Sequence, residues 1–101
     1  MRLVVAVVRP AQVERVRQAL AAIHVTRLTV CDAHGYGADP DAGLRQEVML
    51  EIAVNDDFVN RTVQTLTASL TDAGATPARV FVLPIDEAVQ IYRAVRGPEA
   101  V

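Results

Sequence analysis

The chain has 101 residues, 51% of them hydrophobic and 22% charged, so it holds one domain and is too apolar for intrinsic disorder. Ten Lys plus Arg against twelve Asp plus Glu give a net charge of -2 and a pI near 5.6, which leaves no basic field for nucleic acid or acidic lipid. Cys31 is the one cysteine, which excludes an internal disulfide and fits a reducing compartment.

The first element is a strand. Leu3 to Val8 is apolar at both parities, the pattern of a strand covered on two faces. This run is about a third of a membrane span and follows only Arg2, without a leader's apolar region and cleavage site, so a soluble cytoplasmic protein is expected. Pro10 stops the strand. From Ala11 the period becomes helical, with Val13, Val16, Leu20 and Ile23 on one stripe and Glu14, Arg15, Arg17 and Gln18 opposite. After a turn at His24-Val25, Arg27 to His34 reads as a second strand leading into Gly35-Tyr36-Gly37.

Residues 37–43 carry two Asp, a Pro and two Gly, the composition of an exposed, mobile loop. A third strand follows, with Val48, Leu50, Ile52 and Val54 on one face and Met49, Glu51 and Ala53 on the other. Asn55-Asp56-Asp57 supplies a cap and two acidic groups at a helix N-terminus, where the orphan N–H groups and the dipole favour them. Val59, Val63, Leu66 and Leu70 form that helix's buried stripe, and Gly74 suits its C-terminal cap. Val80 to Leu83 is a fourth strand, ended by Pro84. Ile85 to Tyr92 fits either a short helix or an edge strand, and residues 93–101 read as a tail beyond a domain at 1–92.

This order is an α+β fold: a ferredoxin-like βαββαβ sandwich with two helices on one face of a four-stranded antiparallel sheet. The first and fourth strands are also apolar toward the face without helices, and a patch of that extent marks an interface. A homo-oligomer packed sheet to sheet is expected.

Several stretches then resemble the PII signal-transduction family, the small trimeric regulators of nitrogen and carbon metabolism. Leu3 to Pro10 resembles the family's first strand and Lys-Pro turn, and Leu28-Thr29-Val30 with Gly35-Tyr36-Gly37 its second strand and Gly-Phe-Gly turn. Val48 to Asp57 is similar to its third strand and second helix start, and Arg79 to Ile85 to its Lys-Ile-Phe-Val signature. The resemblance implies a homotrimer that is not an enzyme. It would sense ADP, AMP, ATP, a cyclic nucleotide or a small anion such as bicarbonate at clefts between subunits, and no resident cofactor is implied. Its partner would be a protein target such as a membrane transporter or a metabolic enzyme.

The chain departs from the family pattern in its loops. The family's long T-loop is a stub here, residues 37–45, and 38–45 contain no tyrosine, so nucleotidylylation at that site is excluded. Asp39 stands where the family has a glutamine that helps bind Mg-ATP and 2-oxoglutarate, and its charge opposes phosphates. The glycine-rich phosphate loop reads Thr76-Pro77-Ala78-Arg79, which loses an N–H donor at the proline and keeps the terminal cation. Two phosphate-contacting arginines of the family fall on Gln90 and Tyr92.

The candidate ligand residues are Arg9, Thr29, Gly35, Tyr36, Gly37 and Arg79. Arg9 and Arg79 lie at the ends of neighbouring strands, from which two guanidinium groups converge on one anion. Thr29 and the Gly35-Tyr36-Gly37 turn would hold an adenine and its ribose. His24, Cys31, Asp32 and His34 invite a metal reading, but alternation puts Cys31 opposite Asp32 and His34, so no metal site is assigned. No nucleophile with a base and no paired carboxylates suggest an enzyme. The other reading is a trimeric scaffold that senses nothing, or a metal-homeostasis module like the related CutA-type trimers.

Overall fold

A computed structural model describes residues 1–71 and 78–101. Strands β1 (Arg2–Val8), β2 (Thr29–Gly35), β3 (Arg45–Val54) and β4 (Arg79–Pro84) form an antiparallel sheet in the order β2-β3-β1-β4. Helices α1 (Val13–Ala22) and α2 (Asp56–Ser69) pack on one face of it. The expected ferredoxin-like arrangement is the observed one. Gly74 and the Thr76-Pro77 part of the phosphate loop lie outside the described residues.

The core follows from side-chain parity. Val4, Ala6 and Val8 of β1 lie opposite Ile52, Leu50 and Val48 of β3, so all six point toward the helices, and Val54 continues the β3 set. Every one of these is at most 4% exposed. Val16 and Leu20 of α1 and Leu66 of α2 close the layer from above, also fully buried. Thr62 sits among them at 0% exposure, and its hydroxyl has no hydrogen-bond partner among the described residues. The opposite face carries Leu3, Val5, Val7 and Met49, half-buried, with Phe81 and Leu83 exposed.

Helix α1 ends in a Schellman motif. The His24 N–H donates to the Ala21 carbonyl at 3.0 Å and the Val25 N–H to the Leu20 carbonyl at 2.9 Å, while His24 takes a left-handed φ of 66°. Val25 is buried in the core cluster that holds Leu20. At the start of α2, Asp56 and Asp57 occupy the first turn as expected, but Asn55 makes no side-chain cap bond. Its amide donates instead to the Pro98 carbonyl at 3.0 Å.

That contact fixes the end of the chain. The ambiguous segment becomes neither a helix nor a strand of the main sheet: β5 (Val89–Gln90) pairs with β6 (Val95–Arg96) in a separate two-stranded ribbon. The hairpin joins residues on both sides of position 92, and a 3₁₀ turn at Gly97–Ala100 follows. Within residues 93–101, expected as a tail, Val95 and Arg96 thus pair with β5, and the Pro98 carbonyl accepts from Asn55.

Candidate functional site

The C-terminal end of β1 and the N-terminal start of β4 meet because the strands are antiparallel, with Val7 opposite Arg79. Arg9 follows β1 by one residue. Its backbone is pinned by Gln12, which is 5% exposed: the Gln12 side-chain Oε1 accepts the Arg9 N–H at 2.9 Å, and the Gln12 N–H donates to the Arg9 carbonyl at 2.9 Å. Pro10 opens the 3₁₀ turn between them, which suits a position whose N–H needs no partner. Arg79 stands with its guanidinium 6.0 Å above the Phe81 ring.

The Gly35-Tyr36-Gly37 turn lies at the same end of the sheet, because Gly35 closes β2 opposite Arg45, the first residue of β3. The ends of two long side chains lie over these glycines. A Cβ on Gly35 would fall 2.7 Å from a Glu47 carboxylate oxygen, and one on Gly37 would overlap the Arg45 guanidinium. Arg45 and Glu47 are two residues apart on β3, hence on one face, with Nη2 and Oε1 3.9 Å apart.

These groups surround a cleft of about 650 Å³. Among the described residues its lining includes Arg9, Gln12, Tyr36, Gly37, Asp39, Arg45, Glu47 and Arg79. Three guanidinium groups thus face two carboxylates. Asp39 aims part of its charge at its own loop, since Oδ1 accepts the Asp41 N–H at 2.9 Å and caps the 3₁₀ turn Pro40–Ala42. Tyr36 is 69% exposed and lies in the cleft lining.

Of the residues singled out by sequence, Arg9, Tyr36, Gly37 and Arg79 come together here, and Gly35 lies at the edge beneath Glu47. Thr29 does not join them. It opens β2 opposite Glu51, six residues and about 20 Å along the strand from Gly35. Gln90 and Tyr92 are in and beside the C-terminal hairpin, away from the cleft lining. Sequence reasoning missed Gln12, Arg45 and Glu47. The usable signal was a charged pair at alternate positions of a strand that starts beside a glycine turn.

His24 serves the α1 terminus, and the β2–β3 register puts Asp32 on the face of Val48 and Cys31 on the face of Met49. No group of three or more metal-ligating side chains forms among the described residues. None of the described helices is long and apolar enough to cross a membrane.

The family model for nitrogen regulatory protein P-II matches residues 1–95. The chain belongs to the P-II family. It is similar to nitrogen regulatory protein GlnK1 of Methanosarcina mazei, 34% identical with 100% of this chain and 97% of the relative covered. Nitrogen regulatory protein P-II of Rhizobium etli is 31% identical, with 99% of each chain covered. A crystal structure of Arabidopsis thaliana PII bound to citrate superposes with a TM-score of 0.89 at 28% identity, covering 99% of this chain and 91% of that one. The alignment to GlnK1 runs over 114 positions against the 101 residues here, so that P-II relative carries residues this chain lacks. P-II proteins are regulatory signalling proteins, typically trimeric, that bind small effectors and act on partner proteins.

Proposed function

We propose that this P-II protein is a homotrimer that senses an adenine nucleotide or a small anion, such as ADP, AMP or bicarbonate, at clefts between its subunits. Binding would alter a partner, such as a transporter or an enzyme of carbon or nitrogen metabolism, through the 37–45 loop or the C-terminal hairpin. The observation that carries this reading is the convergence of Arg9 and Arg79, from adjacent strands, on the cleft that also holds the Tyr36-Gly37 turn. Two planar guanidinium forks at one site suit a carboxylate, bicarbonate or phosphate group. The exposed Tyr36 ring supplies a surface on which an adenine stacks. Citrate, the molecule bound in the Arabidopsis structure, is itself a small anion. Thr29 would reach a ligand in this cleft only from a neighbouring subunit, whose open sheet face must then lie close by.

Isothermal titration of the intact protein with ATP, ADP, AMP, cyclic AMP, bicarbonate and citrate tests the reading. At least one should bind, and Arg9→Gln or Arg79→Gln should weaken it by about tenfold or more, the loss of one charge-assisted contact. No heat from any of the six, with unchanged melting temperatures, would remove the sensing function.

A further inference from the structure

Resting on that reading of the cleft, we propose that Glu47 levels the cleft's response to anion charge, so that a triphosphate binds little more tightly than a nucleoside monophosphate or bicarbonate. Glu47 is anchored on the sheet rather than on a loop: it stands on β3 opposite Ala33, and its side chain is only 14% exposed. Its carboxylate lies against the backbone of Gly35, close enough that a single added carbon there would meet it at 2.7 Å. Arg45, 33% exposed, approaches it through one nitrogen and one oxygen at 3.9 Å, which is not a bidentate fork.

The negative charge of Glu47 therefore remains at a fixed point in the cleft wall. Among the described lining residues the charges are those of Arg9, Arg45 and Arg79 against Asp39 and Glu47; this set sums to plus one, and without Glu47 it would sum to plus two. Each charge added to a ligand gains attraction from the arginines and repulsion from this carboxylate, at short range in a partly desolvated site. The gain in affinity from one phosphate to three is accordingly small in the wild type. Attraction and repulsion both scale with ligand charge, so the carboxylate acts on charge rather than on shape by flattening the preference for highly charged ligands.

The test is titration of AMP, ADP, ATP and bicarbonate into the intact protein with EDTA present, so that the nucleotides carry their own charge. In the wild type, ATP should bind no more than about threefold tighter than AMP. In Glu47→Gln, nearly isosteric, ATP should gain about tenfold more than AMP, as expected for removal of a unit charge a few ångströms away. Glu47→Asp should keep the wild-type ratio, and so should the charge-balanced double variant Arg45→Gln/Glu47→Gln. A wild type that prefers ATP over AMP by tenfold or more, or a ratio that Glu47→Gln leaves unchanged, would overturn the proposal. If Glu47→Gln does not fold, the wild-type ratio and the double variant decide. Bicarbonate binding alone in the wild type, with nucleotide binding appearing in Glu47→Gln, supports the role of Glu47. Bicarbonate binding alone in both proteins overturns it. Absence of heat from every ligand in every variant would instead remove the cleft as a ligand site.

Discussion

The two faces of the β-sheet are built from the same residue types and end in different states. Toward the helices, Val4, Ala6, Val8, Val48, Leu50, Ile52 and Val54 are at most 4% exposed. On the other side Leu3, Val5, Val7 and Met49 are half-buried, and Phe81 and Leu83 remain 48% and 44% exposed. On the helix face the β1 and β3 positions are closed within the chain, while Val30 of β2 and Val82 of β4, opposite Leu50 and Val4, stay 49% and 44% exposed on the edge strands. A second and third copy of the chain, the typical assembly of the family, is what we propose covers the other face. The cleft with Arg9, Arg45 and Arg79 lies at one end of this sheet, so the completeness of the ligand site depends on which face is covered and by what.

Removing a side chain from the closed face should have the largest effect. Leu50→Ala leaves a cavity under both helices and should cost about 2–5 kcal/mol in urea denaturation, a large share of the stability of a domain this size. An effect under about 1 kcal/mol would show that the helix face is not the core. Leu83→Glu, on the open face, should act on assembly first: light scattering should report monomers where the wild type gives trimers. Unchanged mass with that substitution would break the contrast between the faces.

Thr62→Val tests a polar residue that is fully buried on the closed side. Replacing a buried hydroxyl that has no partner by a methyl group should stabilise by about 1 kcal/mol, which raises Tm by roughly 4–8 °C in a domain of this length. The smallest effect belongs to the solvated outer side of α1. There the hydrogen bond from Arg17 holds the Glu14 carboxyl below its ordinary value, with the charge of Arg17 acting in the same direction. A depressed folded-state value means the contribution is present above the unfolded carboxylate's titration and lost as pH falls through the folded one. The Tm difference between wild type and Glu14→Gln should thus be small at pH 7 and vanish in acid, and a difference that grows in acid would contradict the assignment.

Where a residue pattern repeats, the fold was legible in the chain itself. Strict alternation from Val48 to Val54 and the 3.6-residue stripes at Val13, Val16, Leu20 and Val59, Val63, Leu66 translate directly into the buried sets. The C-terminal hairpin was not legible, because strands of two residues carry no period and their pairing depends on a turn in which Ala94 takes φ of 52°. The turn at His24-Val25 was legible, but nothing in a histidine announces that it takes a left-handed φ of 66° at the helix terminus. In the candidate site, Arg9 and Arg79 could be placed from the strand order together with the family resemblance. Arg45 and Glu47 could not, because a charged pair at the start of a strand looks solvated until the β2–β3 register sets it over Gly37 and Gly35.

The central claim, that the arginine-lined cleft is the ligand site, is tested most directly by NMR amide-shift mapping of the intact protein as AMP or bicarbonate is added. The account predicts shifts concentrated at Arg9, Gln12, Tyr36, Gly37, Glu47 and Arg79, with the helix-face residues Val16, Leu20 and Leu66 unmoved. Saturable shifts centred instead on the second hollow, around His24, Arg27 and Phe58, or no saturable shift with either ligand, would contradict it.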